Sequence, residues 1–353
     1  MVERLNGIPI ADLDAALDRA ERVLPALRDG RLFITGGTGF FGRWLLSAIA
    51  RANLSRGLGL RVTVLTRSRA GFQRSNGELA AHDRFSFLDG DVRDFAAPEG
   101  AFSHVIHAAT DTSAAANARP LELLDTIVAG TRRVLDFAVS SGARDLLYVS
   151  SGAVYGPQGA LEHIAETHLG ACDPLEIGSV YGESKRFAEQ LCAVYRAQHA
   201  LAPRVARCFA FVGPLLPLDA HFAIGNFIAD AVAGRTIRIT GDGTAVRSYL
   251  YAGDLVAWLL RILIEGTPGR AYNVGSDQGH DLLEVAQLVA RVVPSARGID
   301  VQGAQGARSP STTPQRHRYL PSIERARLEL ELDAWTPLEQ AVAQTASWAR
   351  SPV

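Results

Sequence analysis

Tyr181-Gly182-Glu183-Ser184-Lys185 places a phenol and an ammonium four residues apart, one turn apart on one face of a helix. A free phenol has a pKa of about 10 and is a poor base at neutral pH. Neighbouring positive charge stabilises the phenolate and lowers that value. Tyr181 is therefore expected to take the proton of a substrate hydroxyl while the carbon that bears it gives up hydride. Taken alone, a tyrosine four residues before a lysine is more often a surface pair. Composition argues against that here: of 36 Lys and Arg residues, Lys185 is the one lysine. Arginine would serve as well at most sites, but its planar fork differs from an ammonium in reach and charge distribution. Ser151, at the end of the apolar run 145–151, is placed to hydrogen-bond the same substrate oxygen. Ser151, Tyr181 and Lys185 are the expected catalytic residues.

A hydride needs an acceptor, and Gly36-Gly37-Thr38-Gly39-Phe40-Phe41-Gly42 offers a place for one. The spacing is Gly-x-x-Gly-x-x-Gly between a short apolar run (31–35) and a helical pattern (43–56). In that context the first glycine allows a sharp turn and the second lets backbone N–H groups approach a pyrophosphate. The third lets the helix pack closely. The helix N-terminus favours the phosphate charge. The expected ligand is a nicotinamide dinucleotide held at Gly36, Gly39, Phe40, Phe41 and Gly42, its ribose within reach of Tyr181 and Lys185. An acid at the end of the second strand would hold the ribose diol of NAD. Here that strand ends Leu65-Thr66-Arg67-Ser68-Arg69, and two arginines suit a 2′-phosphate better. The cofactor is NADP or NAD, with the charge leaning toward NADP. Asp91 and Val92, after the third strand, are placed against the adenine edge.

These residues need a sheet to carry them. Apolar runs at 31–35, 61–66, 84–91, 104–109, 145–151 and 204–213 alternate with helical patterns, the clearest at 120–141 and from Ser179 past Tyr195. Short continuous apolar strands alternating with helices imply an α/β fold: a doubly wound parallel sheet, the Rossmann arrangement. A smaller C-terminal substrate-binding lobe follows. The expected organisation is an N-terminal helical extension over 1–29, a dinucleotide-binding domain over 30–213, and a lobe over 214–353. Within the lobe, 236–251 reads as a short strand pair, and 252–276 as a helix and strand that could return to the main sheet. Residues 301–318 are the loosest stretch.

Composition narrows the class. A net charge of −1 gives no basic patch for nucleic acid, and no apolar run approaches the ~18 residues of a membrane span. The N-terminus is acidic and amphipathic, unlike a signal peptide. Cys172, Cys192 and Cys208 are odd in number and unpaired in spacing, against a disulfide framework or a zinc site. They suit free thiols in a cytoplasmic enzyme.

As a set, the glycine turn, HVIHAAT, VAGTRRVLDFA, YVSSGAVYGP, YGESK, ARCFAFVGP and RSYLYAGDL resemble an extended short-chain dehydrogenase/reductase of the NAD-dependent epimerase/dehydratase group that acts on nucleotide sugars. The resemblance covers roughly residues 30–350. It implies a nucleoside diphosphate sugar between the lobes, a tightly bound cofactor that also touches Ala108 and Ala109, and Ser151, Asn226 and Arg247 on the substrate. It also implies a homodimer paired through the helices at 120–141 and 181–199. Three departures stand out. Gly152-Ala153 replaces the Asp-Glu pair of dehydratases and the Glu of sugar decarboxylases. Ile127 and Ala210 replace common asparagines.

The expected reaction is therefore epimerisation: Tyr181 assists oxidation at carbon 4, the keto sugar turns, and hydride returns to the other face. The alternatives are a lyase that recruits Glu166, Asp173 or Glu176 as acid and base, or a net keto-reductase. A cofactor-binding sensor would have no use for an intact Ser151, Tyr181 and Lys185. Segments 158–178 and 301–318 are expected to decide sugar and base.

Overall fold

The computed structural model describes residues 3–110, 113–220, 222–305 and 317–350. Its centre is a parallel sheet of β1 (Arg31–Thr35), β2 (Arg61–Thr66), β3 (Phe85–Asp89), β4 (His104–His107), β5 (Asp145–Ser151), β6 (Ala202–Cys208) and β7 (Ala271–Val274). The spatial order is β3-β2-β1-β4-β5-β6-β7. The order reverses between β1 and β4, and ligands of such sheets bind where the strand order reverses.

Side chains alternate across a strand, so each strand feeds two layers. Leu32, Ile34, Ile106 and Leu147 pack on one face with α2 (Phe40–Arg56) and α6 (Ala252–Glu265). Phe33, Val105, Leu146 and Tyr148 pack on the other with α3 (Pro120–Ser140) and α4 (Val180–Gln198). The doubly wound sheet expected from the alternation is what forms. β7 is the segment beyond 252 that returns to it, pairing with β6.

The N-terminal segment supplies α1 (Ile10–Arg19), which buries Leu13, Ala16 and Leu17 against α2 and α6. Arg51 of α2 holds Asp14 through two hydrogen bonds of 2.7 and 2.9 Å, and Arg19 pairs with Asp254 of α6. Beyond the sheet, α5 (Ala223–Val232), α7 (Leu282–Val292) and α8 (Leu338–Arg350) pack on one another.

Three expectations change. The run 204–213 is not one strand: it stops at Cys208, and Phe211–Val212 joins Leu250–Tyr251 instead. The break frees the backbone of 209–210 for two partners, as Phe209 N donates to Val274 O at 3.0 Å and Ala210 O accepts from Leu250 N at 3.0 Å. The segment 236–251 is no hairpin either. Ile237–Ile239 pairs with Ile299–Val301, and Val246–Arg247 with His280–Asp281 and Arg318–Tyr319. The Asp242 carboxylate accepts from Thr244 N and Oγ1, holding a wide turn that separates the two strands. The fourth strand ends at His107 rather than 109, because Ala108 and Ala109 turn their N–H groups back to Thr35, at 3.1 and 3.2 Å. Most of the loose stretch 301–318 lies outside the described residues. Among the described residues no helix is long and apolar enough to cross a membrane.

Candidate active site

The glycine turn joins β1 to α2. Gly36 has φ +74°, and a Cβ there would lie 2.5 Å from the Ala108 carbonyl, so the turn can sit against the end of β4 only with glycine. A Cβ on Gly42 would lie 2.3 Å from Gly37 Cα. The third glycine therefore serves helix packing against the turn and does not line the cavity. Gly39 is the N-cap of α2. Its N–H donates to Gly36 O at 3.1 Å, and the first turn of the helix opens toward the cavity.

The cavity holds about 960 Å³ and runs from this turn across the sheet edge to the C-terminal lobe. Of the expected cofactor residues, Gly36, Gly39, Phe40, Phe41, Arg67, Asp91, Val92, Ala108, Ala109, Tyr181 and Lys185 line it. Arg69 does not: it starts a short helix on the surface, its N–H bonded to Asp89 Oδ1 at 2.7 Å. The case for a 2′-phosphate thus narrows to Arg67. Asp91 is gripped by Arg93 through Nε and Nη2, each at 2.8 Å, which holds its carboxyl below the usual range. The bare turn, the helix end and the strand-end side chains fit a nicotinamide dinucleotide.

At the far end of β5 the three residues expected to be catalytic come together. Ser151 closes the strand, and its Oγ accepts from Ala153 N at 3.2 Å. Lys185 is buried, with Nζ donating to Thr110 Oγ1 at 2.8 Å and to Val149 O at 2.9 Å. Burial lowers its pKa to about 8. Its Nζ stands 6.0 Å from the Tyr181 ring centre. Burial pushes Tyr181 up to about 12, with only the neighbouring Ser151 hydroxyl working the other way. The expected lowering by Lys185 is therefore not built into the protein alone. The ammonium is held instead by Thr110 and the strand carbonyl.

Behind the trio, α4 is locked to the sheet. Ser150 Oγ donates to Glu189 Oε1 at 2.6 Å, and Arg207 of β6 reaches Glu189 Oε2 at 2.6 Å. This pair fixes the register of the helix that carries Tyr181 and Lys185.

Arg247 reaches the cavity but is partly committed, its Nη1 donating to Val246 O and His317 O at 2.8 Å each. Asn226 is half-buried on α5 and does not line the cavity. The three carboxylates considered for a lyase are elsewhere. Glu166 accepts from Asn273 N at 2.8 Å and faces Arg325, and Asp173 accepts from Leu175 N at 3.0 Å. Glu176 is exposed, and none of the three lines the cavity. Among the described residues the carboxylates that do are Asp91 and Glu122, among the arginines 67, 93 and 119 rather than beside Tyr181.

Several cavity residues carry no role in the sequence reading, Thr110 and Tyr319 among them. Thr110 lies three residues beyond the end of β4, and its place near a strand end was the available signal. Tyr319 lies at the close of the loose stretch and carried no pattern. Among the described residues no group of His, Cys, Asp and Glu could hold a metal ion. The three cysteines are free, with Cys192 and Cys208 buried.

Comparison with known proteins agrees with this geometry. The family model described as NAD dependent epimerase/dehydratase matches residues 32–275. UDP-glucuronic acid decarboxylase 1 of Xenopus tropicalis is 30% identical over 321 residues, which is 91% of this chain and 72% of that protein. Among solved structures, UDP-glucose 4-epimerase of Thermotoga maritima with UDP-glucose superposes with a TM-score of 0.73 at 19% identity, covering 91% of this chain and 98% of that one. The dTDP-glucose 4,6-dehydratase DesIV of Streptomyces venezuelae, with NAD and TYD bound, gives 0.74 at 24%, covering 91% and 97%. With the family match spanning the glycine turn, Ser151, Tyr181 and Lys185, the chain is an enzyme of the NAD dependent epimerase/dehydratase family.

Proposed function

We propose that the protein is a nucleotide-sugar epimerase that inverts carbon 4 through transient oxidation. The observation that carries this reading is a cavity with Ser151, Tyr181 and Lys185 at one end and no carboxylate beside them among the described residues. A nicotinamide dinucleotide on the glycine turn supplies the hydride acceptor and donor and a positive ring. Tyr181 takes the proton of the 4-hydroxyl and later returns it. Ser151 hydrogen-bonds the same oxygen. Lys185 is expected to reach the cofactor ribose from its seat on Thr110. Arg247 is expected to hold the diphosphate. Elimination of water would need an acid and a base that the trio lacks, whereas inversion needs only one group that accepts and returns a proton.

Incubation with UDP-, dTDP-, GDP- and CDP-hexoses without added cofactor, followed by NMR, tests the proposal. The expected product is a mixture of 4-epimers of one of them. A 4-keto-6-deoxy sugar, or turnover only with added NAD(P), overturns it. A second reading, decarboxylation of a nucleotide-linked uronic acid, is favoured by the similarity to the Xenopus enzyme. Against it, the lining cations among the described residues are Arg67, Lys185 and Arg247, each with a task already. Release of carbon dioxide from UDP-glucuronic acid would decide for it.

For the cofactor we favour NADP over NAD on the strength of Arg67, and equilibrium binding of the two to wild type and Arg67→Ala checks this. We also infer a homodimer. Leu121 and Leu124 of α3 and Phe187 and Val194 of α4 form an exposed apolar face on two helices packed together, suited to a second copy.

A further inference from the structure

Two sets of hydrogen bonds hold two sides of the cavity. On one side, Glu189 of α4 accepts from Ser150 Oγ of β5 and from Arg207 of β6, which fastens the helix that carries Tyr181 and Lys185. On the other side Tyr319 lines the cavity, and the residues after it are held by the segment 158–164. Leu320 N donates to Gln158 Oε1 at 2.8 Å, Ile164 N to Leu320 O at 2.9 Å, and Ser322 N to Ile164 O at 2.8 Å. Asn273 of β7 closes this second set, its Nδ2 donating to Ile164 O at 2.8 Å and to Ser322 O at 3.0 Å.

One hydroxyl joins the two sets. Tyr155 ends the short helical turn after Ser151 and is buried. Its hydroxyl donates to Asn273 Oδ1 at 2.8 Å and accepts from Arg207 Nη1 at 2.8 Å. The direction of each bond is fixed. Both Nδ2 hydrogens of Asn273 are taken by carbonyls, so it presents its oxygen to Tyr155, and a guanidinium can only donate. Burial raises the Tyr155 pKa to about 12, which keeps the phenol protonated and able to donate. Every side chain in this chain of bonds is buried or half-buried, so removing one member leaves a polar group unpaired.

We propose that Tyr155 is a positioning residue for the reaction: its hydroxyl sets the cavity wall at 319–322 against the helix that carries Tyr181 and Lys185. A sugar bound between the two depends on both for its distance from Tyr181, and a misplacement of about 1 Å can cost about 100-fold in rate. The proposal rests on the reading of Tyr181 and Lys185 as catalytic.

Lys185 is the one lysine of the chain, so the full chain grown on lysine labelled with ¹³C at Cε gives a single side-chain resonance. Its titration is followed from pH 6 to pH 11. Burial lowers the Lys185 pKa to about 8, and the groups acting around it are Tyr181, Glu189 and Cys192 on its own helix, Tyr148 on β5, Cys208 on β6 and His107 on β4. Tyr155→Phe keeps all of these groups and its own ring, and removes only the joint. A loosened α4 admits water to the ammonium, so the midpoint is expected to rise by about half a pH unit or more. Gln158→Ala loosens the cavity wall from the other end and is expected to act in the same direction. Val289→Ala, in the core beneath α7, lowers stability and is expected to leave the midpoint where it is. On the hexose that proves to be the substrate, Tyr155→Phe is expected to lower kcat about tenfold. A midpoint unmoved in Tyr155→Phe and Gln158→Ala, one raised equally by Val289→Ala, or an unchanged kcat overturns the proposal. The titration needs no sugar. A shifted midpoint in a protein that epimerises nothing refutes the epimerase reading and leaves this one standing, and an unmoved midpoint in a working epimerase does the reverse.

Discussion

At the scale of single residues, the position of Lys185 decides what the trio can do. Its ammonium is buried and held by one hydroxyl and one strand carbonyl. A guanidinium carries the same charge but is wider and planar, and it cannot fit those two acceptors from a buried stem. Lys185→Arg is therefore expected to lower kcat at least about 100-fold, measured on whichever hexose proves to be the substrate. Tyr181→Phe is expected to lose more, about 1,000-fold or beyond, because no other described cavity group beside it can accept the proton. Full rate in Tyr181→Phe would sink the mechanism. Alone, the phenol stays protonated at neutral pH, since burial pushes its pKa up to about 12.

At the scale of elements, the glycine turn works because β1, β4 and α3 are pinned behind it. Thr35 Oγ1 accepts the Ala109 N–H and meets His107 Nδ1 at 2.7 Å, while His107 Nε2 meets Thr131 Oγ1 at 3.0 Å. Burial lowers the His107 pKa to about 3. An unfolded histidine titrates near about 6.5. Between those values the unfolded chain binds a proton that the folded one does not, so stability falls as pH drops. The slope from this residue is about 1.4 kcal/mol per pH unit. His107→Asn removes it, so urea unfolding at pH 7 and pH 5 should differ by about 2 kcal/mol less in the variant. An equal difference would place the acid sensitivity elsewhere. In front of the turn, Gly36→Ala would combine a positive φ with a 2.5 Å clash against Ala108. It is expected to abolish cofactor retention, read by calorimetric titration with NAD(H) and NADP(H).

At the scale of the whole molecule, two lobes and a second copy complete the enzyme we propose. The N-terminal segment does not stand apart: α1 shares one core with α2 and α6, and Tyr251 donates to Asp12 across that contact. The apolar face of α3 and α4 is the surface left over, with Leu121 79% and Phe187 54% exposed. A double variant Leu121→Glu, Phe187→Glu is expected to sediment as a monomer where wild type sediments as a dimer. A monomeric wild type would refute the inference.

The sequence by itself determined the sheet and most of its chemistry. Strand runs, helix periodicity, the Gly36–Gly42 turn and the Tyr181–Lys185 spacing depend on neighbours a few residues away. Local sterics and hydrogen bonding set them, and they are legible in the chain. What only the tertiary structure decided were contacts between distant segments. Lys185 spends its charge on Thr110, Arg69 stays outside the cavity, and Glu166 is consumed by Asn273 and Arg325. The short strands of the lobe pair with distant segments rather than with each other, because strands of two or three residues gain too little from a hairpin and are placed by the buried surface around them. For the same reason Tyr319 could not be foreseen: 168 residues after Ser151 in the chain, it reaches the same cavity only because the folded lobe carries it there.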